Sequence, residues 1–273
     1  MTKKSSATCL IVSYGPVPTP KNQTVEGGGM RAWGLASGLA SHGVDVTLAI
    51  NNSFPQEITQ YQGIKIINWG LDDAFIQTLN SFDSVLVSYC MGDPSVFIAE
   101  NINPGVQLLL DVYVPIYVEV SARDSKDIVS EYKNYLSDIA RHNTVLKRGD
   151  YFLCANEAQK DLYMGVLSSL GIINPRSYRN ERIQIVPFGI NESTPKATQN
   201  PYKKLGIKDS DNVVMWFGGL YPWFRIEELL GALSALSKHP SVKFVFVGGK
   251  NPFNPNPDFS RQYDATVAYA KKT

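Results

Sequence analysis

Three stretches of this chain set residues capable of chemistry beside glycine. The first, EGGGMRAWGLASGLASHG, places Gly27, Gly28 and Gly29 between a strand with its loop and the start of a helical pattern. Free backbone N–H groups and the positive helix end could meet a phosphate or a sugar hydroxyl there. Glycine also lets a ligand approach the main chain closely. The G-x-G-x-x-G spacing of a dinucleotide site and the Walker lysine are both missing, so a bare structural turn is the competing explanation. Arg31 falls in the first helical turn, where a cation opposes the dipole, and a residue set against its local preference hints at function. Gly34, Ala36, Gly38 and Ala40 are explained by close packing of helix on sheet and take no ligand role.

The second stretch is LLLDVYVPIYVE, an apolar strand ending at Asp111 before a turn at Pro115. Ligands of open α/β sheets collect beyond the carboxyl ends of the strands, so Asp111 could point a carboxylate at a sugar. Glu119 is expected about two helical turns into whatever element follows the strand. Helix capping or a surface salt bridge is the plain alternative for both. The third stretch, WFGGLYPWFRIEELLGAL, repeats the first arrangement. Gly218 and Gly219 would let a diphosphate approach the backbone, Arg225 could neutralise it, and Trp223 could stack on a base or sugar ring, whereas Trp216 reads as core.

Several chemistries lack their residues. No Cys/His metal cluster and no G-x-S-x-G elbow is present, so no metal site is expected. The three histidines are His42 and His239, read as helix C-terminal cations, and His142, read as a surface residue, which argues against triad chemistry. Cys9, Cys90 and Cys154 lack metal-ligand spacing and read as small core hydrophobes in a reducing compartment.

The elements that must position these residues are short β-branched runs alternating with helical patterns: Ala7 to Ser13, Val44 to Ile50, Ile64 to Trp69, Ser84 to Tyr89, Val106 to Asp111, Tyr151 to Ala155 and Ile183 to Pro187. This alternation predicts an α/β domain with a parallel sheet. Gly27 to His42 has helical spacing, with Gly43 as its stop. The two-signed, polar segment from about Ile116 to Lys147 suits one or two helices with an exposed face. A polar crossing after Phe188 then opens a second series, Val213 to Phe217, Arg225 to Ser237 and Val242 to Val247. The expected domains are 1–190, Rossmann-like, and 191–273, the start of a second such domain. One and a half βαβ units leave an unpaired edge and an uncovered apolar face, so the chain reads as truncated or as an unusual natural fragment.

With 273 residues and 44% hydrophobic content the chain can bury a sizeable core. Its formal charge of +1 supplies no global field for a nucleic acid or an anionic membrane. The N-terminal basic tract precedes too short an apolar run for a signal peptide, and no stretch is long enough to span a bilayer. A soluble cytoplasmic protein is expected, with peripheral membrane contact left open.

The order of motifs resembles the family 4 (group 1) glycosyltransferases, specifically a bacterial subgroup. Gly27 to Ala36 is similar to its GPGIRAWELA-like element and Asp111 to Glu119 to a DLYDPLHLE-like one. Gly149 to Tyr178 followed by IQIVPFGI resembles GDFFLCANERQRDYWLG…VPFGL, and VMWFGGLYPWF resembles WGGGIYDWFD. The resemblance implies a GT-B fold of two Rossmann-like domains that moves a sugar from a nucleotide-sugar to a glycan or lipid-linked acceptor. It further implies retention of configuration, no cofactor and no metal, with polysaccharide or glycolipid assembly as the setting. The acceptor would bind mainly the first domain and the donor the second. Gly28 and Gly29 would border the reacting sugar and diphosphate, and Asp111 falls where many relatives carry an active-site histidine. Gly219, Trp223 and Arg225 would lie along the diphosphate. Gly219 or Leu220 takes the place of the family's common arginine, Arg225 approximates its lysine, and the Glu-x7-Glu donor grip occurs nowhere in these residues, so the fragment alone is expected to be a poor catalyst. The alternatives are a catalytically inactive sugar- or nucleotide-binding relative or partner, and a nicotinamide-dependent oxidoreductase, against which the missing fingerprint counts.

Overall fold

The computed structural model describes residues 6–22, 25–54, 57–88, 92–123, 127–190, 196, 200–221, 224, 226–236, 238–250 and 257–271. They fall into two compact units, Met1–Val118 with Lys133–Ile190, and Glu119–Tyr132 with Asn191–Thr273.

The first unit is built on eight strands: β1 (Thr8–Ser13), β2 (Asp45–Asn51), β3 (Gln60–Tyr61), β4 (Ile64–Trp69), β5 (Ser84–Val87), β6 (Gln107–Asp111), β7 (Tyr151–Cys154) and β8 (Ile183–Ile185). They form one sheet in the order β3-β4-β2-β1-β5-β6-β7-β8. Every pairing is parallel except β3 with β4. A parallel sheet is covered on both faces, which is why its strands read as continuous apolar runs. Leu10 and Val12 of β1 join Val85, Val87, Leu108 and Leu110 in the core of one face. Cys9 and Ile11 join Val46, Leu48, Ile50 and Leu86 in the other.

Helices α1 (Gly27–Ser41), α2 (Asp73–Leu79), α3 (Asp93–Asn101), α4 (Ile116–Ser121), α5 (Ile128–Arg148) and α6 (Glu157–Ser169) connect them. Their ends are legible locally. Asp72 accepts a hydrogen bond from the Phe75 N–H at 2.8 Å, and Asn156 caps α6 through Gln159 N–H at 2.9 Å. Gly43, at φ +83°, stops α1 as its position suggested. The short β3–β4 hairpin was not legible, since two residues carry no alternation to read.

Two expectations fail here. His142 is not a surface residue: it is 1% exposed, edge-on to Tyr117 at 5.3 Å and to Tyr163 at 6.1 Å. The charged residues around it occupy the other faces of α5, and periodicity rather than local composition decided its burial. Gly34 and Gly38 are exposed, so close packing on the sheet explains Ala36, fully buried, and not these glycines.

The second unit contains α7 (Pro201–Lys204), β9 (Asn212–Phe217), α8 (Ile226–Leu236), β10 (Val242–Val247) and α9 (Pro257–Ala270). β9 and β10 pair in parallel across α8, a single βαβ unit. Among the described residues no third strand joins them, and Val214, Met215 and Phe217 are exposed at 42%, 43% and 82%.

Candidate functional site

The strand order reverses at β1, whose neighbours are β2 on one side and β5 on the other. Such a switch point opens a crevice outside the carboxyl ends of the strands. The loop leaving β1 leads directly into α1. Glu26 is the N-cap in extended conformation and makes no side-chain cap, and the first intrahelical bond runs from Met30 N–H to the Glu26 carbonyl at 3.0 Å. The N–H groups of Gly27, Gly28 and Gly29 therefore precede the helical ladder at the positive end of a 15-residue helix.

The three glycines differ in what holds them. A Cβ on Gly29 would lie 1.9 Å from the Pro16 carbonyl oxygen, so the close passage of the β1–α1 loop requires glycine there. One on Gly28 would meet the Tyr113 hydroxyl at 3.4 Å, and one on Gly27 would meet nothing within 4 Å. Glu26 is half-buried, with burial pushing its carboxyl above the ordinary value, and a Cβ on Gly15 would approach its Oε2 to 2.9 Å.

Arg31 and Asp111 meet each other. Arg31 Nε donates to Asp111 Oδ2 at 2.8 Å and Nη2 to Oδ1 at 3.0 Å, with side-chain exposures of 3% and 0%. Nη1 donates to the Pro187 carbonyl at 2.9 Å. The guanidinium also lies 4.8 Å from the Phe188 ring centroid and 5.8 Å from that of Tyr113. The two rings stand edge-on at 5.4 Å and 84°. Burial pushes the Asp111 carboxyl up, and the Arg31 guanidinium works against that shift. Arg31 is the fifth residue of α1 rather than a first-turn residue. Neither side chain is offered to a ligand in this arrangement. A buried charge demands a partner, and the helix and strand end bring one of opposite sign into reach. The pair thus ties α1, the end of β6 and the segment after β8 together.

Sequence reading passed over Tyr113, Phe188 and Glu26. Each stands one to three residues beyond a strand end or directly before a glycine-led helix, the position from which side chains reach a crevice.

Glu119 lies in the first turn of α4, not two turns along, and groups with the second unit. Burial pushes its carboxyl up, and nearby Arg123 draws it down. In the same unit Gly218 adopts φ +136° and donates to the Val247 carbonyl at 2.9 Å. A Cβ on Gly248 would lie 2.0 Å from the Gly218 carbonyl oxygen, so the ends of β9 and β10 close on glycine. The Gly219 carbonyl accepts from Trp216 Nε1 at 3.3 Å, and Trp216 is half-buried rather than core. Trp223 and Arg225 lie outside the described residues. A cavity of about 230 Å³ is lined by Gly218, Leu220, Phe246, Gly248, Gly249 and one face of α9. Among the described residues no cluster of three His, Cys, Asp or Glu is arranged to hold a metal, and no helix is long and apolar enough to cross a membrane.

No family model matches the chain, and no curated protein matches its sequence. Solved structures do resemble it. WaaG, a glycosyltransferase involved in lipopolysaccharide biosynthesis, gives a TM-score of 0.56 at 16% identity over 96% of this chain and 68% of that one. UGT89C1 of Arabidopsis thaliana complexed with quercetin gives 0.47 at 12% identity over 90% of this chain and 70% of that one. An alpha-glucosyltransferase in complex with UDP and a mismatched 13-mer DNA gives 0.45 at 12% identity over 99% and 59%. Of these three the first exceeds 0.5 and carries the fold assignment, a mixed α/β protein with a large parallel sheet, of the GT-B type.

Proposed function

We propose that the chain belongs to a glycosyltransferase that moves a sugar from a nucleotide-sugar to a glycan or lipid-linked acceptor. The observation that carries this reading is the uncapped, glycine-led start of α1 at the switch point of the sheet, on a fold shared with WaaG. The task of such a site is to offset the charge growing on a departing diphosphate, and helix N-termini do this without reorganising. In this proposal residues 1–190 serve the acceptor side and residues from 191 onward the donor side, with Gly218 and Gly219 near the diphosphate. Transfer with retention, without metal or cofactor, in the cytoplasm or peripherally at a membrane face and within polysaccharide assembly, follows the family 4 resemblance.

A second reading, a relative that binds sugar or nucleotide without catalysing transfer, is favoured by the pairing of Arg31 with Asp111, which occupies two charged groups that the sequence offered as site residues. Calorimetric titration of the complete gene product with UDP-, GDP- and ADP-sugars tests the proposal. Binding of one of them with subsequent release of the nucleoside diphosphate in the presence of acceptor supports transfer. Binding without turnover supports the second reading, and no binding at all defeats both.

A further inference from the structure

Phe188 combines exposure with fixed neighbours. It is 52% exposed, yet it is fixed from two sides, by the Arg31 guanidinium at 4.8 Å and by the Tyr113 ring at 5.4 Å. The guanidinium is itself fixed by Asp111 and by the carbonyl of the preceding residue, Pro187. A free apolar side chain at a surface gains by folding back onto its neighbours. This ring instead keeps about half of its surface in water, supported by a buried ion pair. Rigid, half-exposed aromatics present contact area to a ligand at little entropic loss on binding.

The surroundings indicate the ligand. The Tyr113 hydroxyl adjoins Gly28, so the ring cluster borders the α1 N-terminus and its N–H groups. An apolar face beside hydrogen-bond donors matches a pyranose, which has a face of C–H groups and a rim of oxygens. The electron-rich face of an aromatic ring attracts such weakly positive C–H groups. We propose that Phe188, braced by Tyr113 and Arg31, is a platform on which a pyranose ring of the substrate stacks. The proposal rests on the transferase reading and adds a sugar subsite on the first unit.

The test uses saturation-transfer NMR on the complete gene product, with the methyl α-glycosides of glucose, galactose, mannose and N-acetylglucosamine as probes, and UDP and GDP as separate arms. Phe188→Leu keeps an apolar cover over the ion pair and removes the aromatic face, and Phe188→Tyr keeps the face. The expected result is transfer to C–H protons of at least one glycoside in the native protein and in F188Y. In F188L the affinity falls about five- to tenfold while hydrogen-exchange protection of the β1 and β6 peptides is retained. Binding of no glycoside, or equal binding by F188L, overturns the platform. So does a Phe188→Leu loss confined to UDP or GDP, which would make the ring a nucleobase support. Nucleotide binding without glycoside binding leaves the transferase reading standing while the platform falls, so the two fail separately.

Discussion

Replacing Arg31 with methionine leaves the Asp111 carboxylate in a site where its side chain is 0% exposed, with no guanidinium to meet either oxygen. Removing one partner of a buried pair costs about 3–5 kcal/mol, against a total stability of about 5–15 kcal/mol for a domain. The loss is pH-dependent with a definite sign. Burial already raises the Asp111 carboxyl, and without Arg31 the opposing pull is gone. A carboxyl whose folded value lies above its unfolded value near 3.9 binds its proton more tightly in the native state, so its burden on stability grows as pH rises through that window. The deficit of R31M relative to the native protein is therefore smallest near pH 4 and largest at neutral pH. Because the chain forms two units, a single global transition is a poor measure. Hydrogen-exchange mass spectrometry on β1 and β6 peptides reads the first unit alone. The double variant R31M/D111L, with no charge left to bury, is expected to recover most of the loss. A deficit below about 1 kcal/mol in R31M, or a double variant no better than the worse single one, would refute the assignment of Arg31–Asp111 as a buried clamp.

Other outcomes follow from the same geometry. Gly29→Ala should destabilise the first unit by about 3 kcal/mol, because its Cβ meets the Pro16 carbonyl at 1.9 Å, whereas Gly27→Ala, with nothing within 4 Å, should stabilise it by about 0.5–1 kcal/mol; hydrogen exchange of the β1 and β6 peptides ranks the two. In a Cys90→Ser background, Ellman's reagent at pH 8 should find no reactive thiol until urea is added, since Cys9 and Cys154 are buried and desolvation pushes both thiols up. Burial also pushes the Tyr117 phenol up to about 12, so ultraviolet titration should show tyrosine absorbance developing well after that of the exposed phenols, with the late amplitude reduced by one tyrosine in Tyr117→Phe. The Asp83 carboxylate, held below the ordinary range by the Thr8 N–H and hydroxyl, stabilises the fold above that range and ceases to as acid protonates it. Asp83→Asn should therefore flatten the acid limb of a stability profile.

Local patterns determined the first unit's strands other than β3, because each is a largely apolar run of a length that suits a parallel sheet buried on both faces. Ile64–Trp69 coincides with the expected run, and Gly43 stops α1 where the sequence put it. The glycines that open α1 were visible as a candidate helix-start site for a related reason: a helix start leaves N–H groups unpaired wherever it occurs, and a run of glycine there is a signal confined to a few consecutive residues.

The partners of the charges were decided elsewhere. Arg31 and Asp111 are eighty positions apart in sequence, and nothing near either names the other. Their pairing depends on strand order, which sets the end of β6 near α1, and on burial, which makes an unpaired charge untenable. Phe188 acquires its place the same way, from a guanidinium supplied by another element. Gly29 shows the difference in one residue, since its type is read from the chain but its reason, the Pro16 carbonyl pressed against its α-carbon, exists only in the folded loop. Sequence thus fixes what is governed by neighbours along the chain, periodicity and helix ends, while contacts across the sheet are set by tertiary packing, whose energy depends on distance in space.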